Sequence, residues 1–158
     1  MRVVKRWGID RFALGNMTKI KSYWLLKSEP DVYGWDDLIA EDEGTWDGVR
    51  NYTARLHLCA MQVGDEAFFY HSNVGVEIVG VVKISKAGFQ DPTDDTGRWT
   101  SVKVKPIRKL KRPVTLKEIK ADPALADMDL LTKFRLSVSP VKPAEWEHIL
   151  DLAKRPAA

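Results

Sequence analysis

Several predicted strands lie close together in the middle of the sequence, and this close spacing constrains the fold more than any other feature. Residues 67–71 are aromatic, residues 76–85 are rich in β-branched side chains, and residues 99–107 alternate between two faces. Residues 23–27 and 136–138 add one strand signal on either side. Mostly short turns join the central segments, unlike the helical crossovers of a βαβ fold. The pattern predicts an α+β fold, with about five or six strands in a small curved sheet or partial barrel flanked by short helices.

Several short helices are predicted around these strands. Residues 35–40 are one candidate, and Thr115 with Glu118 forms a T-x-x-E capping box for another. Pro143 suits the first position of the last helix, where a missing N–H costs nothing. These elements are short enough to pack as flanking pieces on a sheet.

A further helix is predicted to start after Asn51, which is a good N-cap residue. Tyr52, Leu56, Cys59 and Val63 recur behind it at helical spacing and predict its buried stripe. On this interpretation Cys59, the single cysteine of the chain, is an inert core thiol.

Length and composition place the chain among ordinary globular domains. Its 158 residues are enough for one domain with a sizeable core, and a single cysteine excludes an internal disulfide. No apolar run approaches the roughly 18 residues of a membrane span, and the first residues do not resemble a secretory signal. We expect a cytoplasmic protein without membrane association, acting as a monomer.

The net charge of +3 arises entirely from the N-terminal end. Residues 1–16 contain four of the 25 basic and one of the 22 acidic residues, so the rest of the chain carries 21 of each. Such neutrality argues against binding driven mainly by phosphate neutralisation. The charges are unevenly spread, however: residues 98–120 hold nine Lys or Arg against one acid, and residues 31–47 are acidic without a base. One side could therefore contact a phosphate backbone.

Residues 1–21 show no clear periodicity and are predicted to be an N-terminal extension to a domain that spans residues 22–155. Met17 precedes the first strong strand signal, so it is a candidate for the natural start. The alternative is a basic arm that assists nucleic-acid binding.

Three segments, at residues 23–30, 45–52 and 68–72, each join large aromatic residues to hydrogen-bonding side chains. If they converge in space, they form a pocket with flat apolar walls and a polar edge. A nucleobase offers a π face and a donor/acceptor edge, so it would suit such a pocket. The pocket therefore depends on whether the folded chain brings the three segments together.

Two positions in these segments are candidates for stacking on a flat ligand. Trp46 precedes Asp47-Gly48, a turn signal that favours an exposed indole. The second aromatic would be Trp24 or Tyr52, although Trp24 could equally fill the core.

Polar candidates lie where predicted elements end. Lys27, Ser28 and Glu29 stand at the end of a strand that Pro30 stops, so their side chains could contact a base edge or form a surface salt bridge. The other candidates lie beside the helix that Asn51 caps or at the end of the aromatic strand, and they are Arg50, Asn51, His71 and Ser72.

Cofactor and metal chemistry find no support in the sequence. The three histidines lack metal-ligand spacing, and there is no phosphate loop, dinucleotide fingerprint or serine elbow. We expect neither a metal nor a cofactor.

Four ordered motifs resemble the EVE domain family, which includes the thymocyte nuclear proteins. They are YWLLKSEP at 23–30, WDGVRNY at 46–52, GDEAFFYHS at 64–72 and RLSV at 135–138, and the resemblance extends to about Leu152. Gln90 and Ser139 depart from the usual family pattern. The motifs also contain Pro30, Val49 and Arg135, which join the ligand-binding candidates.

The resemblance implies a PUA-like fold, a curved β-barrel with small helices packed on it. Related PUA-like domains bind RNA, and the similar YTH domains hold a methylated base in an aromatic cage. The family is therefore expected to recognise modified bases, with modified cytosine or adenine in DNA or RNA as candidate ligands.

Three functions remain open from the sequence. The first is a non-catalytic nucleic-acid-binding module, in which Arg50, Lys27 and residues 103–112 bind phosphate. The second is a small amidohydrolase of a modified nucleoside that uses Lys27 and Glu29. The third is a protein-interaction domain in which the aromatic residues are core.

Overall fold

The computed structural model describes residues 20–156 of the chain. The predicted extension over residues 1–21 and the candidate start at Met17 lie outside the described residues, apart from Ile20 and Lys21. Within the described part, no helix is both long and apolar enough to cross a membrane.

Six strands and six α-helices make up the described chain, in agreement with the predicted α+β class. The strands are β1 (Tyr23–Ser28), β2 (Gly44–Trp46), β3 (Glu66–His71), β4 (Glu77–Gln90), β5 (Thr100–Thr115) and β6 (Val138–Val141). The helices are α1 (Pro30–Tyr33), α2 (Trp35–Glu41), α3 (Tyr52–Ala60), α4 (Leu116–Ala121), α5 (Asp129–Thr132) and α6 (Pro143–Lys154), and a 3₁₀ turn spans Pro123–Leu125.

The strands form one sheet in the order β2-β5-β4-β3-β1-β6, in which only β1 and β3 run parallel. The pairing register between the two longest strands, β4 and β5, shifts at four points. Such bulges bend strands and increase their twist, so they give the sheet the curvature expected of a partial barrel. β2 and β6 remain as its two edges.

β5 is longer than the sequence predicts. The alternating pattern covers residues 99–107, but the strand continues to Thr115. Pro106 lies opposite Val82, beside the register shift between Val81 and Val82. Proline is tolerated at bulges, where its missing N–H removes no regular ladder bond.

Each face of the sheet carries its own apolar core, because successive residues of a strand point to opposite faces. Leu26 and Phe69 belong to the first core, and their neighbours Leu25 and Phe68 belong to the second. Helix α6 covers the second core through Trp146, whose ring stacks on Phe68 at a centroid distance of 3.9 Å.

The predicted buried stripe of α3 is wrong, although its Asn51 cap is confirmed. Ala54 and Leu58 are the buried residues of this helix, whereas Leu56 is 63% exposed and Cys59 is also exposed. The helix is apolar on more than one face, and packing against β4, β5 and β6 selects the face on which small Ala54 allows a close approach.

The other two residues of the predicted stripe also lie in an environment different from the one expected. Tyr52 and Val63 are both exposed rather than packed in the core. Cys59 is thus a surface thiol, with its Sγ 3.4 Å from Thr100 Oγ1.

A loop between β4 and β5 is tied to the start of α3 by one buried carboxylate. Asp91 Oδ2 accepts hydrogen bonds from Gly48 N at 2.7 Å and from Arg50 Nη1 at 3.0 Å. Its other oxygen accepts from both the amide and the hydroxyl of Thr93. Burial raises the pKa of Asp91, but these donors outweigh burial and lower it to about 2.

The Asp91 bonds make stability dependent on pH. Because the folded pKa of about 2 lies below the ordinary 3.8, the carboxylate stabilises the fold above pH 4 and loses this contribution as the pH falls through the folded pKa. The contribution is at most about 2 kcal/mol. We expect Asp91→Asn to unfold at lower urea than the unaltered protein at pH 7, with a difference that shrinks between about pH 5 and pH 2.

Urea unfolding followed by circular dichroism at several pH values measures this difference. Asp95→Asn, at an exposed position in the same loop, is the control and should give a small difference that does not vary with pH. A deficit for Asp91→Asn that stays constant down to pH 2 would contradict the assignment.

Candidate functional site

A cleft of about 840 Å³ opens where β1 ends. Four parts of the chain surround it: the end of β1 with α1, the segment from the end of α2 through β2 to Arg50, the residue after β3, and the segment before β6. The lining residues are Lys27, Ser28, Glu29, Val32, Tyr33, Glu41, Glu43, Thr45, Trp46, Asp47, Gly48, Val49, Arg50, Ser72, Phe134, Arg135 and Ser137.

Strand pairing places the cleft. The parallel register sets Ser28 opposite His71, so β1 and β3 end at the same edge of the sheet. Beyond the paired region, Ser72 N donates to Ser28 O at 2.9 Å, and on the other side Lys27 N donates to Ser137 O at 3.0 Å. The chain then turns into α1, which Ser28 Oγ holds by donating to Tyr33 O at 2.5 Å.

The aromatic wall of the cleft differs from the predicted one. Trp46 lines the cleft but is only 7% exposed, because β2 pairs with β5 and sets Trp46 opposite Val102 in the sheet. Its aromatic neighbour on the cleft is Tyr33, at 6.2 Å and 81°. The two rings meet edge to face and therefore form a corner rather than two parallel plates.

The basic side chains of the cleft are largely occupied by the protein itself. Lys27 Nζ donates to Phe134 O at 2.7 Å, and burial lowers its pKa. Arg50 bonds to the buried Asp91 and to Thr93 Oγ1. Arg135, in contrast, is exposed at the rim.

Acidic side chains outnumber basic ones in the lining. The acids are Glu29, Glu41, Glu43 and Asp47, against Lys27, Arg50 and Arg135. Burial, followed by the nearby charge of Asp91, raises the pKa of Asp47. Tyr33 Oη donates to Glu41 Oε1 at 2.5 Å, and burial is the main cause that raises the pKa of this tyrosine. These carboxylates are exposed in the cleft, so the lining favours ligand groups that donate hydrogen bonds.

Eight of the thirteen ligand-binding candidates line this one cleft. They come from all three aromatic segments and from the RLSV motif, and they are Lys27, Ser28, Glu29, Trp46, Val49, Arg50, Ser72 and Arg135. The three segments therefore meet, but with different aromatic residues at the meeting point.

Two aromatic candidates have other roles. Trp24 is 7% exposed in the first core, and its Nε1 donates to the buried carboxylate of Asp65 at 3.1 Å. Tyr52 is 59% exposed and tilts against Trp99 at a centroid distance of 5.0 Å. Neither ring lines the cleft, so the predicted pairing of Trp46 with Trp24 or Tyr52 is wrong.

The remaining three candidates act in local structure. His71 Nε2 accepts from Trp35 N at 3.1 Å and thereby holds the start of α2, while burial lowers the pKa of the imidazole. Asn51 Oδ1 accepts from Ala54 N at 2.9 Å as the cap of α3. Pro30 is the first residue of α1. His71 therefore does not line the cleft, although Trp46 and the neighbouring Ser72 do.

Sequence reasoning missed Tyr33 and Phe134. Tyr33 lies in α1, and Pro30 indicated only the end of a strand, although proline is also favoured at the first position of a helix. Phe134 stands directly before the RLSV motif, but no periodicity marks it as a lining residue.

A second hollow of about 330 Å³ adjoins the cleft. It shares Phe134 and Arg135 with the cleft, and its other lining residues are Asn51, Thr53, Thr132, Lys133 and Leu136.

The amidohydrolase alternative gains nothing from this geometry. Within residues 20–156, no hydrogen bond or ion pair joins Lys27 to Glu29, the pair expected of an amidohydrolase. No group of three or more His, Cys, Asp or Glu side chains in the same range could hold a metal ion.

Comparison with known proteins adds independent observations. Thymocyte nuclear protein 1 of Mus musculus is 38% identical over 167 residues, covering 84% of this chain and 74% of that protein. The NMR structure of Rpa0253 from Rhodopseudomonas palustris has a TM-score of 0.80 at 47% identity, covering 84% of this chain and 93% of that one. The crystal structure of human THYN1 protein in complex with 5-methylcytosine containing DNA has a TM-score of 0.79 at 34% identity, covering 87% of this chain and all (100%) of that one.

A more distant likeness concerns the fold alone. The YTH domain of Zygosaccharomyces rouxii MRB1 protein, solved with N6-methyladenosine RNA, is 21% identical with a TM-score of 0.52, covering 87% of each chain. The PUA-like, α+β fold expected from the motifs is thus confirmed. The family model of the EVE domain matches residues 22–152, and the chain belongs to the EVE domain family.

Proposed function

We propose that this protein is a non-catalytic module that binds a nucleic acid and takes a modified base into the cleft beside Trp46 and Tyr33. The observation that carries the proposal is a cleft of about 840 Å³ at the junction of the aromatic segments. Its volume lies within the range of small-ligand sites, about 300–1,000 Å³. The crystal structure of the related human THYN1 protein with 5-methylcytosine DNA supports the same ligand class.

The charge of the lining favours a base over a phosphate in the interior. Acids outnumber bases there by four to three, although two of the bases and two of the acids, Glu41 and Glu43, already bond to other parts of the protein. A carboxylate can accept a hydrogen bond from the exocyclic amino group of cytosine, adenine or guanine, which thymine and uracil lack. A modified base that carries an amino group is therefore the class that this lining suits best, and the cytosine of the related THYN1 complex belongs to it.

A methyl group on the base adds a modest apolar term. The apolar part of the lining consists of Val32, Tyr33, Trp46, Val49 and Phe134. Burial of one methyl-sized group is worth about 0.8 kcal/mol, or about fourfold in Kd. Stronger selection for the modified base requires a hydrogen bond that the unmodified base cannot make.

The phosphate backbone would run along a lysine patch beside the cleft, formed by Lys83, Lys86, Lys103 and Lys105. In the register of β4 and β5, Lys83 lies opposite Lys105 and Lys86 lies opposite Lys103. Like charges at directly opposed positions destabilise a sheet, and a bound polyanion relieves this repulsion.

The lysine patch adjoins the cleft through Glu43. The hydrogen bond from Ser85 contributes most to lowering the pKa of Glu43, and the charges of Lys103, Lys105 and Lys86 lower it further. Because Glu43 also lines the cleft, a strand whose base enters the cleft can continue onto the lysines.

We expect Trp46→Leu to weaken binding of an oligonucleotide that carries one modified base, because it removes the stacking surface. Stacking is worth about 1–3 kcal/mol per base, so Kd should rise about five- to 150-fold in fluorescence anisotropy titrations. Leu56→Ala is the control, since its exposed side chain lies outside the lining, and it should change Kd less than twofold.

Trp46 is also a core residue, so a second variant separates binding from folding. Thr45→Trp narrows the cleft from a half-buried lining position without removing core atoms. It should retain the circular dichroism spectrum and a cooperative melt while losing affinity. Unchanged affinity in both variants, with folding intact, would overturn the proposal.

We expect the lysine patch to determine the salt dependence of binding. Replacing Lys103 and Lys105 together by Gln should reduce the slope of log K against log salt by about 1.8 on duplex DNA, about 0.9 for each lost phosphate contact. The matched control replaces Lys117 and Lys120 on α4, which removes the same charge away from the cleft lining. Equal slopes for both double variants would show that the backbone does not follow the patch.

A further inference from the structure

Phe134 forms a ridge between the cleft and the second hollow. It lines both depressions, and its side chain is 68% exposed. Single exposed apolar residues are common on protein surfaces, so exposure alone means little. The position is what distinguishes this ring, because a strand whose base enters the cleft must pass one of the cleft's rims.

The backbone under Phe134 is held from both sides. Lys27 Nζ donates to Phe134 O at 2.7 Å from the end of β1. Leu136 N donates to Lys133 O at 2.9 Å, which closes a turn around the phenylalanine. Lys27 lines the cleft and also fixes the carbonyl of an exposed aromatic residue.

The surroundings of the ring suit a nucleotide. The guanidinium carbon of Arg135 lies 5.8 Å from the centroid of the Phe134 ring. The second hollow, on the far side of the ridge, adds Lys133 and the polar residues Asn51 and Thr53 at the start of the nine-residue helix α3. An exposed aromatic face flanked by two basic side chains provides stacking for a base and charge for its phosphate.

We propose that Phe134 stacks on the base next to the one in the cleft, that Arg135 and Lys133 bind the adjoining phosphate, and that Lys27 is the positioning residue for Phe134. This inference rests on the proposed function and adds a second, flanking subsite to it. A base that leaves its stack exposes the face of its neighbour, and an aromatic side chain can cover that face. The subsite is indifferent to the identity of the flanking base, since every base has a π face.

The test is a double-mutant cycle between Phe134 and the flanking base. Oligonucleotides carry one modified base with either normal neighbours or an abasic residue on its 5′ or 3′ side. We expect Phe134→Ala to raise Kd for the intact strand about five- to 150-fold. With the abasic residue on the stacked side, the unaltered protein should lose the same factor and Phe134→Ala should lose nothing further.

Three variants complete the experiment. Phe134→Trp should restore binding of the intact strand, because it keeps an aromatic face. Lys27→Met should weaken binding of the intact strand by a larger factor than binding of the abasic strand, because only the intact strand uses the positioned ring; a general loss of folding would weaken both by the same factor. Leu56→Ala, at an equally exposed apolar position outside both depressions, should match the unaltered protein.

Failure of this inference differs from failure of the proposed function. Equal losses for Phe134→Ala on intact and abasic strands, or no loss on either, would overturn the flanking subsite while Trp46→Leu still weakens binding. If the unaltered protein binds none of the modified strands, both proposals are overturned together.

Discussion

The parallel pairing of β1 with β3 is the interaction on which the site depends. It ends both strands at one edge of the sheet, where Ser28 stands opposite His71. Beyond that edge the chain must leave the ladder, so β1 turns into α1 and brings Tyr33 beside Trp46. An antiparallel partner in place of β3 would not bring these two strand ends together. The cleft is thus a consequence of strand direction as much as of side-chain identity.

Charge differs between the lining and the surroundings of the cleft. Acids outnumber bases in the lining, whereas Lys83, Lys86, Lys103 and Lys105 lie on the neighbouring strands β4 and β5. The near-neutral net charge of residues 17–158 therefore conceals two surfaces of opposite character. A nucleic acid fits this division because its phosphates are anionic while its amino-bearing bases donate hydrogen bonds.

Local rules in the sequence predicted the class of fold, the Asn51 cap and the Thr115–Glu118 capping box, because each depends on a few adjacent residues. These local rules failed where tertiary packing determines which face of a helix or strand is buried. α3 offered two apolar stripes, and the sheet selected the one with Ala54. The turn signal at Asp47-Gly48 predicted an exposed indole at Trp46, but pairing of β2 with β5 buries it. No local signal in the sequence indicates that pairing. Trp24 could not be assigned before its partner Asp65, 41 residues away, was located.

In the proposed complex Trp46, rather than any other tryptophan, contacts the ligand. The indole N–H resonances of the six tryptophans can be followed by NMR while a modified-base oligonucleotide is added, with Trp46 assigned from a Trp46→Phe sample. We expect the Trp46 signal to shift in proportion to saturation while that of Trp24, whose N–H is bonded to Asp65, stays in place. A complex that forms with the Trp46 resonance unmoved would contradict the account.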